Sequence, residues 1–147
     1  MRQSFLHHIC IKTNDYEQSL KFYCKMLDME IIEETPNFHG REYNTWIKND
    51  YLCIELQTPK NEQQFDQIDD DHTGVSHICL WVNDINQLYY ELGEKGAHSF
   101  IKHGANDIYE VNGGKLFKLK SPEGTIIYLE INWGADIFFC WGVNPVS

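Results

Sequence analysis

The chain repeats itself. Displaced by 69 positions, HICIKTNDYEQSLKFY (8–23) lies over HICLWVNDINQLYYEL (77–92). Between 8–32 and 77–101 seven positions are identical: His8/His77, Ile9/Ile78, Cys10/Cys79, Asn14/Asn83, Asp15/Asp84, Gln18/Gln87 and Ile32/Ile101, where ordinary residue frequencies give roughly one or two by chance. Self-similarity on this scale predicts two copies of one supersecondary unit.

Each copy opens on a period-2 segment. His8, Cys10 and Lys12 face one way and Ile9 and Ile11 the other; His77, Cys79 and Trp81 likewise oppose Ile78, Leu80 and Val82. Such alternation reads as a strand with one apolar face and one open face. Asn-Asp follows in both copies, with Gln three residues after the Asp, the arrangement of a capped helix start. Tyr16, Leu20, Tyr23 and Leu27 then recur at helical spacing, as do Ile85, Tyr89 and Leu92, and Gly93 and Gly96 mark the second helix end. Strand-like runs follow at 29–33, 43–48 and 51–57, then at 99–102, 115–119 and 125–131. The expected architecture is α+β: two tandem βαβββ modules forming a curved mixed sheet around a concave site. Module one spans 5–57, a linker 58–74 and module two 75–131, all within one domain of 1–147, with an aromatic tail at 132–147.

The period-2 pattern also sorts the side chains that carry chemistry. In YLCIELQ, Tyr51, Cys53 and Glu55 share the open face while Leu52, Ile54 and Leu56 pack inward; in TIIYLEI, Tyr128 and Glu130 are open while Ile127, Leu129 and Ile131 pack. A pseudo-twofold between the copies would bring one histidine and one carboxylate from each half to a common place. Imidazole and carboxylate suit one borderline divalent metal (Zn, Ni, Co, Fe or Mn), whose charge removes the repulsion between Glu55 and Glu130. A lone strand histidine is more often a packed or surface residue than a ligand, but repetition of His8 at His77 favours ligation. His7 is expected on the opposite side of its strand. His39, His72, His98 and His103 fall in loops and default to solvated side chains. Cys10, Cys53, Cys79 and Trp81 are expected to line the pocket, the cysteines as small buried wall residues.

Composition closes off other functions. A net charge of -10 repels phosphates and argues against nucleic acid. Much of it lies in EQQFDQIDDD (62–71), a solvated linker. No apolar run is long enough to span a bilayer, and MRQSFLHHICIK lacks a signal-peptide core, so a cytoplasmic location is expected. Five cysteines without a CxxC pair predict free thiols rather than disulfides or a zinc ribbon. The aromatic tail 133–146 would cover the pocket or, more ordinarily, a homodimer interface.

Carried by LHHICIKTNDYEQSLKFYCKMLDMEI, YLCIELQ, VSHICLWVNDI and SPEGTIIYLEI, the chain resembles the vicinal-oxygen-chelate superfamily over residues 6–131. That superfamily includes glyoxalase I, methylmalonyl-CoA epimerase, extradiol dioxygenases and the fosfomycin and bleomycin resistance proteins. The resemblance implies metal ligands at His8, Glu55, His77 and a carboxylate on the last strand. The family's usual glutamate stands four residues after the glycine of SPEG, and here that residue is Tyr128. Either a longer turn or small bulge brings Glu130 into the site, which is favoured, or Tyr128 occupies it. The segment 39–46 departs from glyoxalase I, so glutathione specificity is not carried over.

The expected activity is that of a metal-dependent, glyoxalase-type lyase or isomerase acting on a small molecule. Glu130 or Glu55 would abstract a proton next to a carbonyl while the metal stabilises an enediolate. Arg41 is a candidate substrate contact and, with Lys115, a candidate anion contact, although solvated charge is the more ordinary role of both. A metal-free binding or resistance protein of the same fold and an Fe(II) ring-cleaving dioxygenase are the alternatives.

Overall fold

The computed structural model describes residues 6–61, 63–67 and 69–131. The aromatic tail 132–147 that the sequence singles out, with Cys140, lies outside them. Two compact units are present. The first contains β1 (Ile9–Lys12), α1 (Tyr16–Lys21), which continues as a π-helical turn (Phe22–Met26), β2 (Glu30–Phe38), β3 (Arg41–Lys48) and β4 (Cys53–Gln57). The second contains β5 (His77–Trp81), α2 (Ile85–Glu94), β6 (Tyr109–Val111), β7 (Gly114–Lys120) and β8 (Ile126–Ile131). The turn Ser121–Gly124 packs with the first unit.

Each unit is an α+β module around one four-stranded mixed sheet, ordered β1-β4-β3-β2 in the first and β5-β8-β7-β6 in the second. The opening strand pairs parallel to the closing strand in both, and the remaining pairs are antiparallel. The alternation read from the sequence sets the faces. Ile54 and Leu56 are buried on one side of β4, and Phe117, Leu119, Ile127 and Leu129 form the corresponding core of the second unit with Ile85 and Leu92 of α2. Burying each such side chain contributes about 1.5–3 kcal/mol.

Both helix starts are capped as expected. Asp15 accepts from the backbone N–H of Gln18, and Asp84 from those of Asn86 and Gln87. The helix ends differ from expectation. Gly93 lies inside α2; the stop is Gly96 at φ +91°, where the N–H of Ala97 reaches back to the Leu92 carbonyl at 2.8 Å. In the first unit the π-helical turn shifts the buried face, so that Ser19, Phe22 and Tyr23 are buried while Leu20 and Leu27 are only partly so.

The segment 99–102 is not a regular strand. Phe100 makes one isolated bridge to Leu119, and the chain then loops through a short His103–Asn106 bridge before returning as β6. The hairpin signal that sets this is Asn112-Gly113, at φ 49° and 86°, which closes Val111 onto Gly114. His39-Gly40, at φ 49° and 81°, does the same between Phe38 and Arg41. Two consecutive residues with positive φ give the twist that a two-residue hairpin needs.

Candidate functional site

In the first unit, the open face of β1 and β4 carries a histidine–carboxylate pair. His8 Nε2 lies 3.8 Å from Glu55 Oε2, both side chains being partly exposed. Register explains the approach: Cys10 stands opposite Glu55 on the parallel neighbour, and Trp46 opposite Glu55 on the antiparallel one. The Trp46 ring meets His8 edge-on at 4.8 Å and 75°. His7 does not point away as strand alternation predicts. The strand begins only at Ile9, and His7 Nδ1 lies 2.8 Å from His8 Nδ1. Below this group Gln57 donates to Asn44 at 2.8 Å.

Cys10 is exposed rather than a buried wall residue. Partial burial of its sulfur, then the charge of Glu55 and a hydrogen bond to it, push its thiol up, while Lys12 and Arg41 pull in the opposite direction. Cys53, on the same face of β4, is half-buried. Arg41 is committed to structure: its Nη1 donates to the Thr58 carbonyl at 2.5 Å.

The second unit repeats this arrangement with different chemistry. His77 stacks on Tyr128 with ring centres 4.0 Å apart and planes 15° apart. Cys79 stands opposite Tyr128, and Trp81 opposite Glu130. Compared with the first unit, Tyr128 therefore occupies the register position of Glu55, and Glu130 that of Gln57. The backbone agrees, since the N–H of Thr13 donates to the Gln57 carbonyl as that of Val82 donates to the Glu130 carbonyl.

Glu130 is only 8% exposed. Cys79, expected to be buried, is exposed as a residue, yet its sulfur lies against the packed strands. That partial burial, with the Glu130 charge and a hydrogen bond to Glu130, pushes its thiol up to about 12. Trp81 is 47% exposed on the same face. Lys115 is exposed beside Ile131 in the register. Within each unit, among the described residues, no group of three or more His, Cys, Asp or Glu side chains is placed to hold a metal.

Sequence reasoning placed His7 on the other side of its strand and missed Trp46 and Lys118, whose Nζ lies 4.4 Å from the Tyr128 ring centre. Hairpin counting finds the latter two. From Lys48 opposite Cys53, two steps along each strand reach Trp46 opposite Glu55; from Lys120 opposite Ile126 they reach Lys118 opposite Tyr128.

Comparison with known proteins agrees with the fold. The uncharacterized protein YwkD of Bacillus subtilis is 30% identical over 95 residues, 64% of this chain and 73% of that protein. A probable lactoylglutathione lyase of Synechocystis sp. is 26% identical over 125 residues, 79% of this chain and 92% of that protein. The crystal structure of a glyoxalase family protein from Enterococcus faecalis matches with a TM-score of 0.71 at 18% identity, over 86% of this chain and 96% of that one, a likeness of fold. Residues 7–111 match the model of the Glyoxalase/Bleomycin resistance protein/Dioxygenase superfamily. The chain belongs to that superfamily.

Proposed function

We propose that this chain is a metal-dependent enzyme of glyoxalase type that moves a proton next to the carbonyl of a small substrate, a lyase or isomerase in formal class. The observation that carries this reading is the His8–Glu55 pair at 3.8 Å, together with a second imidazole, His77, at the repeated position. The kinship with a probable lactoylglutathione lyase supports the same chemistry.

The donor chemistry fits a divalent metal. An imidazole nitrogen and a carboxylate oxygen stand side by side in the first unit, and imidazole and carboxylate recur along the second sheet, a mixture that suits Zn, Ni, Co, Fe or Mn. His8 and Glu55 from the first unit, with His77 and Glu130 from the second, would hold one such ion. When bound, it supplies positive charge that offsets the negative charge developing on the substrate oxygens.

Glu130 is the proposed base. It is the more enclosed carboxylate, and burial favours proton transfer over solvation. The C–H bond next to the carbonyl breaks, its electron pair moves toward the carbonyl, and the carboxyl group returns the proton. Glu55, beside His8, is the second carboxylate able to serve. A hemithioacetal or an acyl thioester meets these requirements. The partners proposed are a small molecule and a second copy of the chain, in the cytoplasm. Among the described residues no helix is long and apolar enough to cross a membrane.

The test is an assay of methylglyoxal with several thiols. A general base contributes about 100-fold or more, so Glu130→Gln should lower kcat by at least that factor while Tyr128→Phe stays within a few-fold. The reverse ranking would transfer the role to Tyr128. A second reading, metal-free sequestration of a small ligand, draws on the phenol of Tyr128 at the position where the first unit has a carboxylate. Elemental analysis of the purified protein separates the two.

A further inference from the structure

The two open faces are equivalent in register but carry different charged groups. Where the first unit sets Glu55 beside Trp46, the second sets Tyr128 beside Lys118. One copy presents a carboxylate against an aromatic ring, and the other an ammonium against an aromatic ring. The exchange leaves the second face with an ammonium, Lys118, at the register where the first has Trp46. We infer that Lys118, clamped between Tyr109 and Tyr128, is the seat for a carboxylate group of the substrate. This assignment deepens the proposed function by naming the substrate's anionic handle.

The clamp is built from three strands. Lys118 Nζ lies 4.4 Å from the Tyr128 ring centre on β8 and 5.7 Å from that of Tyr109 on β6. Behind these rings stand two more: His77 stacked on Tyr128 at 4.0 Å, and His103 stacked on Tyr109 at 4.7 Å. The long side chain is thereby held over the sheet face instead of sweeping through solvent, which lowers the entropy lost on binding. Burial works against the charge of Lys118, but hydrogen bonds with Tyr109 and Tyr128 outweigh it and hold the ammonium above the ordinary lysine range.

No ion pair joins this ammonium to a carboxylate among the described residues. Ring faces neutralise none of its charge, so part of its donor capacity is left for a ligand. Glu130, one pleat along, opposes Leu116 rather than Lys118. In a chain of net charge -10, a fixed cation on a sheet face is where an anion settles, and a single ammonium balances a monoanion better than a dianion. The neighbouring rings favour a planar, apolar body behind the carboxylate.

The experiment uses the full chain treated with a chelator, so that it does not depend on a metal. Benzoate is titrated by calorimetry against the wild type, Lys118→Met, Lys118→Arg and Lys102→Met. Lys102 is an exposed lysine whose loss changes the net charge equally. Benzamide and inorganic phosphate are the comparison probes. The expected result is benzoate binding that weakens at least tenfold in Lys118→Met and is retained within a few-fold in Lys118→Arg and Lys102→Met. Benzamide and phosphate should bind at least tenfold more weakly than benzoate. Circular dichroism checks that each variant is folded, and the arginine variant keeps the test decisive if the methionine variant is not. No benzoate binding to the wild type, equal binding by Lys118→Met, loss of binding in Lys118→Arg, or preference for phosphate would overturn the assignment. Failure to bind metal, with benzoate binding intact, would count against the proposed function and leave this assignment standing.

Discussion

At the scale of single residues, hydroxyl groups meet carboxylates at several points, and Tyr16 is the most telling. Its hydroxyl donates to Glu34 and lies 2.6 Å from the Thr45 hydroxyl, while its ring stacks on Tyr43 at 4.4 Å. Burial first, then the hydrogen bond to Glu34, pushes the phenol well above its ordinary range. A group whose pKa is raised on folding stabilises the fold below its unfolded pKa, and that contribution is lost as pH rises beyond it. Thermal stability of the wild type should therefore fall as pH rises above about 10, the ordinary tyrosine pKa, more steeply than that of Tyr16→Phe. Parallel curves for the two proteins would contradict this. The His8–Glu55 pairing was legible in the sequence, because identity under displacement and period-2 phase act on each strand separately. Trp46 and Lys118 belong to no motif. They gain meaning only through the neighbouring strand, which local patterning does not reveal.

The elements are held by a buried polar knot as well as by apolar packing. Glu123, in the Ser121–Gly124 turn, accepts from the Tyr23 hydroxyl at 2.5 Å, from Ser121 at 2.5 Å and from Ser19 at 2.8 Å, and Ser19 in turn meets Thr13 at 2.8 Å. Tyr23, Ser19 and Thr13 are all buried. Removing the acceptor strips buried hydroxyls of their carboxylate partner, so Glu123→Ala should cost about 2–4 kcal/mol in urea unfolding, and Glu123→Gln, which keeps an acceptor oxygen, less. A loss below about 1 kcal/mol for the alanine variant would show that water replaces the carboxylate. The sequence identified SPEG as a turn, but nothing in the four residues says which helix the glutamate reaches. Caps at Asp15 and Asp84 and the alternation of β4 and β8 were legible because they are local. The segment expected as a strand at 99–102 pairs with β7 only through the Phe100–Leu119 bridge and the two hydrogen bonds that flank it, a length that local patterning does not fix. Asn112-Gly113 was the stronger, overlooked signal.

For the whole molecule, the repeat explains both what is shared and what has diverged. Both copies keep the same strand order, the same cysteine on the opening strand and the same histidine at its start. Their closing strands differ, with Glu55 in one and Tyr128 at the matching register in the other. A chain with a net charge of -10 that also partly buries the carboxylates of Glu55 and Glu130 has an electrostatic cost, which a bound dication would offset. The claim on which everything functional rests is that a histidine from each copy serves one ion. Elemental analysis after reconstitution with Zn, Ni, Co, Fe or Mn tests it most directly, on the wild type, His8→Ala and His77→Ala. The account predicts about one metal per chain in the wild type and loss of most of it in either single variant, since even losing a residue that only supports a metal ligand costs about 10–100-fold in affinity. A wild type that binds no metal, or a His77→Ala protein as fully loaded as the wild type, would contradict it.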